Sequence, residues 1–139
     1  MQYWLIKSEP SVYSWDKFIS DKKTAWEGVR NYAARNNLRS MKLGDLALFY
    51  HSNQGLNIVG IARVIKEHYQ DPTTQESAWL SVDFEPFLTL KKQVSLEIIK
   101  KDVRLKNMQL IKISRLSVSV VTASEYETIK ELGGINEKE

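Results

Sequence analysis

The sequence of 139 residues contains no cysteine, and this absence excludes disulfide bonds, thiol nucleophiles, cysteine-ligated zinc and iron–sulfur clusters. Histidine is nearly as scarce, because only His51 and His68 are present and they do not have a metal-binding spacing. The Gly-x-Ser-x-Gly elbow of hydrolases, the Gly-x-Gly-x-x-Gly motif and the P-loop are missing too. These absences argue against a metalloenzyme or a serine hydrolase, and we expect no metal and no cofactor.

Long apolar runs are also absent, since none approaches the ~20 residues of a membrane-spanning helix. Residues 1–7 lack the basic region and the extended apolar region of a signal peptide. We therefore expect a cytoplasmic protein that does not act at a membrane.

The composition is ordinary for a folded domain, with 42% hydrophobic and 27% charged residues. The length lies in the usual range for one domain. No linker rich in Gly, Ser and Pro divides the chain, and no internal repeat is visible. We predict a single domain over residues 1–139.

Positive charge is concentrated in two parts of the chain, whose formal net charge is +3. Residues 1–60 carry eight basic and five acidic side chains, and residues 96–122 carry six and two. If the two segments converge in space, they permit a nucleic-acid partner. A mixed, solvated surface gives the same counts.

Hydrophobic alternation with aromatic and β-branched residues predicts the strands. They cover residues 2–6, 46–51, 57–68 and 79–85, with one or two more within 109–121, and Gly60 is a candidate bulge. Apolar stripes predict helices over 15–22, with Ser14 as the N-cap, and over 31–41 and 95–101. A last helix is predicted to begin at the capping box of Thr122 and Glu125 and to end at the glycine pair 133–134. Residues 24–30 are expected to be irregular or briefly extended, and residues 70–78 to form a polar loop. Strands outnumber helices without a βαβ rhythm, so we predict an α+β fold with a curled, mostly antiparallel sheet and helices outside.

Trp26 differs from the other three tryptophans because it lies in a stretch with little periodicity, beside Gly28 and just before a helix rich in Arg and Asn. A tryptophan in such a place can serve as a platform on which a nucleobase stacks. It can equally fill the core, and the sequence leaves both interpretations open.

Two polar clusters follow predicted strands. Residues 7–9 (Lys-Ser-Glu) come after the first strand, and residues 50–53 (Tyr-His-Ser-Asn) come at the end of another. Polar groups at the point where a strand leaves the core are well placed to line a pocket, although Ser and Asn also stabilise ordinary turns.

Several blocks of the sequence resemble the EVE domain family, in the family's order, from residue 2 to about residue 132. The blocks are residues 3–10, 26–36, 41–45, 49–52, 105–108 and 115–118. One departure is Val120, where many members have proline, and the loop 70–78 is shorter than in animal members.

The resemblance implies a PUA-like fold, in which a mixed, mostly antiparallel barrel-like sheet has short flanking helices, as in the related YTH and ASCH domains. It also implies a non-catalytic reader of modified bases in DNA or RNA, with 5-methylcytosine as the usual base for the DNA-linked members. A protein partner supplied in trans is a further expectation, because no effector domain is visible in the sequence.

Carried over onto this chain, the resemblance assigns ten residues to the base pocket: Lys7, Ser8, Glu9, Trp26, Val29, Asn31, Tyr32, Tyr50, His51 and Ser52. Arg30, Arg35 and Asn36 lie in the most characteristic block of the family, and we predict that they contact phosphates, which position a strand without reading its bases. Two other functions stay open: an enzyme acting on nucleotides or RNA with His51 as its acid or base, and a sensor of a small molecule in the same cavity.

Overall fold

A computed structural model of the chain describes residues 1–135, so the last four residues of the predicted domain lie outside the described range. Its six strands form one sheet in the order β2-β5-β4-β3-β1-β6. The strands are β1 (Tyr3–Ser8), β2 (Thr24–Trp26), β3 (Leu46–His51), β4 (Asn57–Gln70), β5 (Leu80–Ser95) and β6 (Val118–Val121). Only the pairing of β1 with β3 is parallel among the pairings of these residues. The predicted α+β class with a mostly antiparallel sheet is confirmed.

Side chains alternate along each strand, so the sheet carries a separate apolar core on each face. Trp4, Ile6 and Phe49 belong to the first core, whereas Leu5 and Leu48 belong to the second. Strands that are buried on both faces show continuous hydrophobic runs, as the run in β3 does.

Short helices cover both faces of the sheet. They are α1 (Trp15–Asp21), α2 (Tyr32–Ser40), α3 (Leu96–Lys101), α4 (Gln109–Lys112) and α5 (Ala123–Leu132), with a 3-10 turn at Val103–Leu105. The first core receives Phe18 of α1 and Leu38 of α2, and the second receives Ile99, Leu110 and Ile129 of the other three helices. No helix within residues 1–135 is both long enough and apolar enough to cross a bilayer.

The sheet is strongly curled. The rings of Trp26 in β2 and Phe49 in β3 have centroids 5.7 Å apart, although β5 and β4 lie between these strands in the sheet. Three strand spacings in a flat sheet amount to about 14 Å. The curl therefore brings β2 towards the inner face of β3, and this curvature gives the sheet its barrel-like character.

Gly60 is required by close packing. A β-carbon at this position would lie 2.3 Å from the indole of Trp15, so only glycine lets α1 approach the strand. The pairing of β4 with both neighbours changes register beside Gly60, as expected for a bulge.

Two predictions of secondary structure were wrong. The predicted strand 79–85 continues as β5 to Ser95, because Pro86 lies at a change of register where a strand tolerates a missing N–H. The segment 109–112 is a helical turn, α4, which buries Leu110 in the second core, so the predicted strands of 109–121 reduce to β6. The capping box of Thr122 and Glu125 is confirmed.

Candidate functional site

An open cavity of about 690 Å³ lies on the side of the sheet that holds the first core. Its wall consists of the end of β1, the turn that follows it, β2, residues 27–30 and Ser117 just before β6. Six of the predicted site residues line it: Lys7, Ser8, Glu9, Trp26, Val29 and Arg30. The cavity exists because the curl of the sheet brings β2 close to β1 and β3.

Trp26 forms an aromatic part of the cavity wall. It is partly buried, and its ring meets Phe49 and Phe84 edge-on, with centroids 5.7 and 5.8 Å away. Its backbone pairs with Val82 in the sheet. Trp26 therefore packs on the first core, as one interpretation predicted, and it is also a lining residue of the cavity. Its role as a stacking platform for a base stays a prediction.

The indole N–H of Trp26 is distinctive among the four tryptophans. The N–H groups of Trp4, Trp15 and Trp79 donate to side-chain oxygens of Asp45, Thr89 and Glu76, at 3.0, 2.9 and 3.1 Å. Within residues 1–135 no acceptor is present for the N–H of Trp26. A donor at a cavity wall without a protein partner is available to a ligand.

A buried carboxylate holds the segment that follows Trp26. Asp71 is fully buried and accepts hydrogen bonds from the backbone N–H of Gly28 at 2.7 Å and from Arg30 Nη1 at 2.9 Å. Its other oxygen accepts from the N–H and the hydroxyl of Thr73. Burial raises the pKa of Asp71, but these hydrogen bonds outweigh burial and hold the pKa well below its usual value.

Asp71 belongs to the predicted polar loop 70–78 and is not among the site residues predicted from the sequence. One part of its role has a local pattern. An Asp often accepts the N–H of the residue two positions ahead in an Asx turn, and Asp71 does so with Thr73. Its bond to Gly28 spans 43 residues, and no local pattern indicates such a partner. Gly28 itself has a φ of 82°, which glycine adopts at little cost.

The end of β1 contributes polar groups whose orientation is fixed. Lys7 Nζ donates to the carbonyl of Ser114 at 2.6 Å, and burial lowers its pKa. The Ser8 hydroxyl donates to the carbonyl of Tyr13 at 2.5 Å. Because the hydroxyl proton is committed to this carbonyl, Ser8 Oγ offers the cavity only an acceptor.

Glu9 and Val29 line the cavity because of a backbone turn and of core packing, respectively. The carbonyl of Glu9 accepts the N–H groups of Val12 and Tyr13, which forms the turn after β1. Val29 is 8% exposed and packs in the first core. Tyr13 and Ser117, which the sequence analysis did not select, also line the cavity.

The predicted residues at the end of β3 do not line the cavity. Tyr50 is buried in the second core, on the opposite face of the sheet. Ser52 joins β3 to β1 by donating its backbone N–H to the carbonyl of Ser8 at 2.9 Å. These residues support the strand end without presenting side chains to the cavity.

His51 has a defined structural contact. Its Nε2 accepts the backbone N–H of Trp15 at 3.1 Å, at the start of α1. Burial lowers the pKa of His51, and the nearby Asp16 carboxylate opposes this change only partly. Burial and this hydrogen bond both favour the neutral imidazole, because a protonated Nε2 could not accept the N–H.

The predicted residues at the start of α2 lie beside the cavity, outside its lining. Asn31 caps the helix by accepting the N–H of Ala34 at 2.9 Å. Tyr32 is 61% exposed. Arg35 donates to the carbonyl of Ala78 at 2.6 Å and to the Asn36 side chain at 3.0 Å. Since both acceptors are neutral, the charge of Arg35 is not compensated by these contacts, whereas Arg30 is paired with Asp71.

No group of His, Asp and Glu side chains in residues 1–135 has the arrangement of a metal site. The residues that line the cavity include an aromatic ring, an indole N–H without an acceptor in residues 1–135 and a hydroxyl that can accept, and basic groups lie nearby. Such a combination suits a flat, polar, uncharged ring attached to an anion.

Comparison with solved structures defines the class of fold. A YTH domain from Zygosaccharomyces rouxii superimposes with a TM-score of 0.61 over 95% of this chain and 86% of that one, at 15% identity. At this identity the likeness concerns the fold alone, and it confirms that this chain shares the fold of YTH domains, as the resemblance implied.

The EVE domain family matches residues 2–132, and this chain belongs to that family. Rpa0253 from Rhodopseudomonas palustris is 45% identical with a TM-score of 0.94, over 99% of this chain and 97% of that one. Human THYN1, solved in complex with DNA containing 5-methylcytosine, is 32% identical with a TM-score of 0.89, over 99% of this chain and all of that one. The family membership inferred from the sequence blocks is confirmed.

Proposed function

We propose that this protein is a non-catalytic reader of 5-methylcytosine in DNA and that the modified base lies in the cavity against Trp26. The observation that carries the proposal is the position of Trp26, which lines the cavity and whose indole N–H has no acceptor within residues 1–135. The cavity of about 690 Å³ has room for one base, since ligand pockets usually measure roughly 300–1,000 Å³. The complex of human THYN1 with DNA that contains 5-methylcytosine supports this choice of base.

The free energy gained by stacking on Trp26 is comparable to the cost of extruding a base from a duplex. Extruding a base from a duplex costs a few kcal/mol, and stacking it on one aromatic side chain returns about 1–3 kcal/mol. Trp26 can therefore offset most of the cost of extrusion. Single-stranded DNA, which has less stacking to lose, should bind more tightly than duplex DNA.

The methyl group alone gives limited selectivity. Burying one methyl contributes about 0.8 kcal/mol, which is roughly a fourfold preference for 5-methylcytosine over cytosine. Stronger discrimination requires polar groups that are left unmatched by the wrong base. Ser8 supplies such a group, because its Oγ can only accept.

This acceptor distinguishes 5-methylcytosine from thymine, which carries the same methyl group. Cytosine presents an amino donor where thymine presents a carbonyl acceptor. Opposite Ser8 Oγ, the amino group makes a hydrogen bond, whereas the thymine carbonyl meets another acceptor. The indole N–H of Trp26 is in turn available to an acceptor on the base edge.

The arrangement around His51 disfavours an enzyme that uses this residue. Its Nε2 is occupied by the N–H of Trp15, and its side chain is not among the groups that line the cavity. An acid or base must reach the proton that it transfers.

The test is a binding titration with short single-stranded oligonucleotides that differ at one central position. The DNA probes carry 5-methylcytosine, cytosine or thymine, and an RNA probe carries 5-methylcytidine. Trp26→Ala removes the stacking surface, Trp26→Phe keeps a ring without the N–H, and Phe87→Ala is the control. Phe87 packs against the second core beneath Arg63, on the face away from the cavity.

We expect the 5-methylcytosine DNA to bind at least about fourfold more tightly than the cytosine DNA. Trp26→Ala should weaken its binding at least about fivefold, Trp26→Phe should retain part of the affinity, and Phe87→Ala should retain all of it. Equal binding of all probes, unaffected by Trp26→Ala and lost steeply with salt, would contradict the proposal and leave a nonspecific basic surface.

A further inference from the structure

Beside the cavity, two aromatic rings and two guanidinium groups pack in a row. The rings of Tyr32 and Trp79 have centroids 4.9 Å apart at an angle of 31°. The guanidinium of Arg30 lies 5.6 Å from the Trp79 ring, and that of Arg35 lies 5.1 Å from the Tyr32 ring. We call these four residues the Tyr32 stack.

We propose that the Tyr32 stack is a second binding subsite, which holds the base of the nucleotide adjacent to the modified one. This inference rests on the proposed function, because it names where the rest of the strand lies when one base occupies the cavity. The occupant is a neighbouring nucleobase, attached to its own phosphate.

The members of the stack are held in place before any ligand arrives. Tyr32 is the first residue of α2, directly after the Asn31 cap. Trp79 is 9% exposed and its indole N–H donates to Glu76. Arg35 is held by the carbonyl of Ala78 at 2.6 Å. A surface fixed by such contacts loses little conformational entropy on binding.

Arg30 connects the stack to the cavity. Its side chain lines the cavity, bonds to the buried Asp71 and lies against the Trp79 ring. A strand that leaves the cavity past Arg30 therefore reaches Trp79 and Tyr32 next.

The exposure of Tyr32 indicates a surface that is still available. The residue is 61% exposed although Trp79 and Arg35 both pack on its ring. Nucleobases stack on aromatic rings and on the planes of arginine guanidinium groups. The stack offers both, and the positive charge of Arg35 suits the phosphate attached to the same nucleotide.

A purely structural role for Tyr32 makes a different prediction. In that role the ring only shields Trp79 from water, so its removal lowers the stability of the fold and leaves the affinity for DNA unchanged. Any of the bases can stack on an aromatic ring. The affinity should therefore depend little on which base is next to the modified one, but it should fall when that nucleotide is abasic.

The experiment combines a change in the protein with the matching change in the ligand. The ligands are a single-stranded DNA heptamer with central 5-methylcytosine, the same heptamer with abasic residues on both sides of it, and 5-methyl-dCMP alone. The proteins are the wild type, Tyr32→Ala, Tyr32→Phe and the control Phe87→Ala, which removes a ring that packs with Arg63 on the opposite face. Thermal unfolding of each variant reports on the fold separately.

We expect Tyr32→Ala to weaken binding of the intact heptamer at least about fivefold and to leave 5-methyl-dCMP binding unchanged. Abasic neighbours should weaken the wild type to the same extent and should not weaken Tyr32→Ala further, because both changes remove one interaction. Tyr32→Phe should behave like the wild type.

The inference is overturned if Tyr32→Ala binds the intact heptamer as the wild type does, or if the two changes weaken binding independently. Failure of 5-methyl-dCMP to bind, with heptamer binding still dependent on Tyr32, would refute the cavity assignment and support the stack. No binding of the heptamer at all would overturn both.

Discussion

The carboxylate of Asp71 accepts the backbone N–H of Gly28 at 2.7 Å, which joins two segments that are 43 residues apart. The same oxygen accepts from Arg30. A single buried carboxylate therefore fixes the segment between Trp26 and α2, which forms one wall of the cavity. The shape of the candidate site depends on an interaction that does not itself face the ligand.

Asp71→Asn tests this dependence. The amide keeps the size of the side chain but removes the negative charge that pairs with Arg30, and one of its two polar atoms is a donor where acceptors are needed. We expect the free energy of unfolding in urea to fall by about 1–3 kcal/mol, with weaker binding of 5-methylcytosine DNA. Asp102→Asn is the control, because Asp102 pairs with Arg104 only two residues away and so joins no distant segments. Equal stability of Asp71→Asn and the wild type would refute the role of Asp71.

The pKa of His51 predicts a pH dependence of stability. Burial lowers its pKa in the folded state, so the unfolded chain binds the proton more readily below its ordinary value near 6.5. The stability that the neutral imidazole contributes is therefore complete above about pH 6.5 and decreases as the pH falls towards the lowered pKa. Urea unfolding at several pH values should show this loss in the wild type.

In His51→Gln this part of the pH dependence should disappear, because the amide does not titrate in that range and its oxygen can still accept the N–H of Trp15. His68→Gln is the matched control, since His68 is exposed on β4. A variant at position 51 that retains the full pH dependence would show that another group is responsible.

Arg35 is the better candidate for a phosphate contact, because Arg30 already pairs with Asp71 and the acceptors of Arg35 are neutral. Each phosphate neutralised by a basic side chain contributes about 0.7 to the slope of log affinity against log salt for a single strand. Arg35→Gln should lower this slope by about that amount and weaken binding to all DNA sequences alike.

Arg104→Gln serves as its control, because Arg104 pairs with Asp102 and Glu131. The slope for this variant should equal that of the wild type. A change for Arg104→Gln and none for Arg35→Gln would place the strand on a different surface.

The starts of helices could be predicted from the sequence where they depend on interactions between residues close together in the chain. Ser14 and Thr122 begin helices as predicted, because a hydroxyl that accepts the N–H three residues ahead is a local interaction. The extension of β5 past Pro86 was missed because the long pairing with β4 outweighs the local effect of one proline.

The site was less accessible to prediction for a related reason. The residues at the end of β1 and in the segment from Trp26 to Arg30 line the cavity together, although only the curl of the sheet brings them near each other. Tyr50 faces the other core because side chains alternate along a strand, and the contact of Asp71 with Gly28 has no local pattern.

The most direct test of the central claim uses the four indole N–H signals in a ¹H–¹⁵N NMR spectrum, assigned with single Trp→Phe variants. On addition of 5-methyl-dCMP, we predict that the signal of Trp26 shifts most, because this residue lines the cavity and its N–H has no acceptor in the described part of the chain. The signals of Trp4 and Trp15, whose N–H groups are bonded to Asp45 and Thr89, should move little. A spectrum in which the Trp26 signal stays in place at saturating nucleotide, or in which another indole responds instead, would contradict the account.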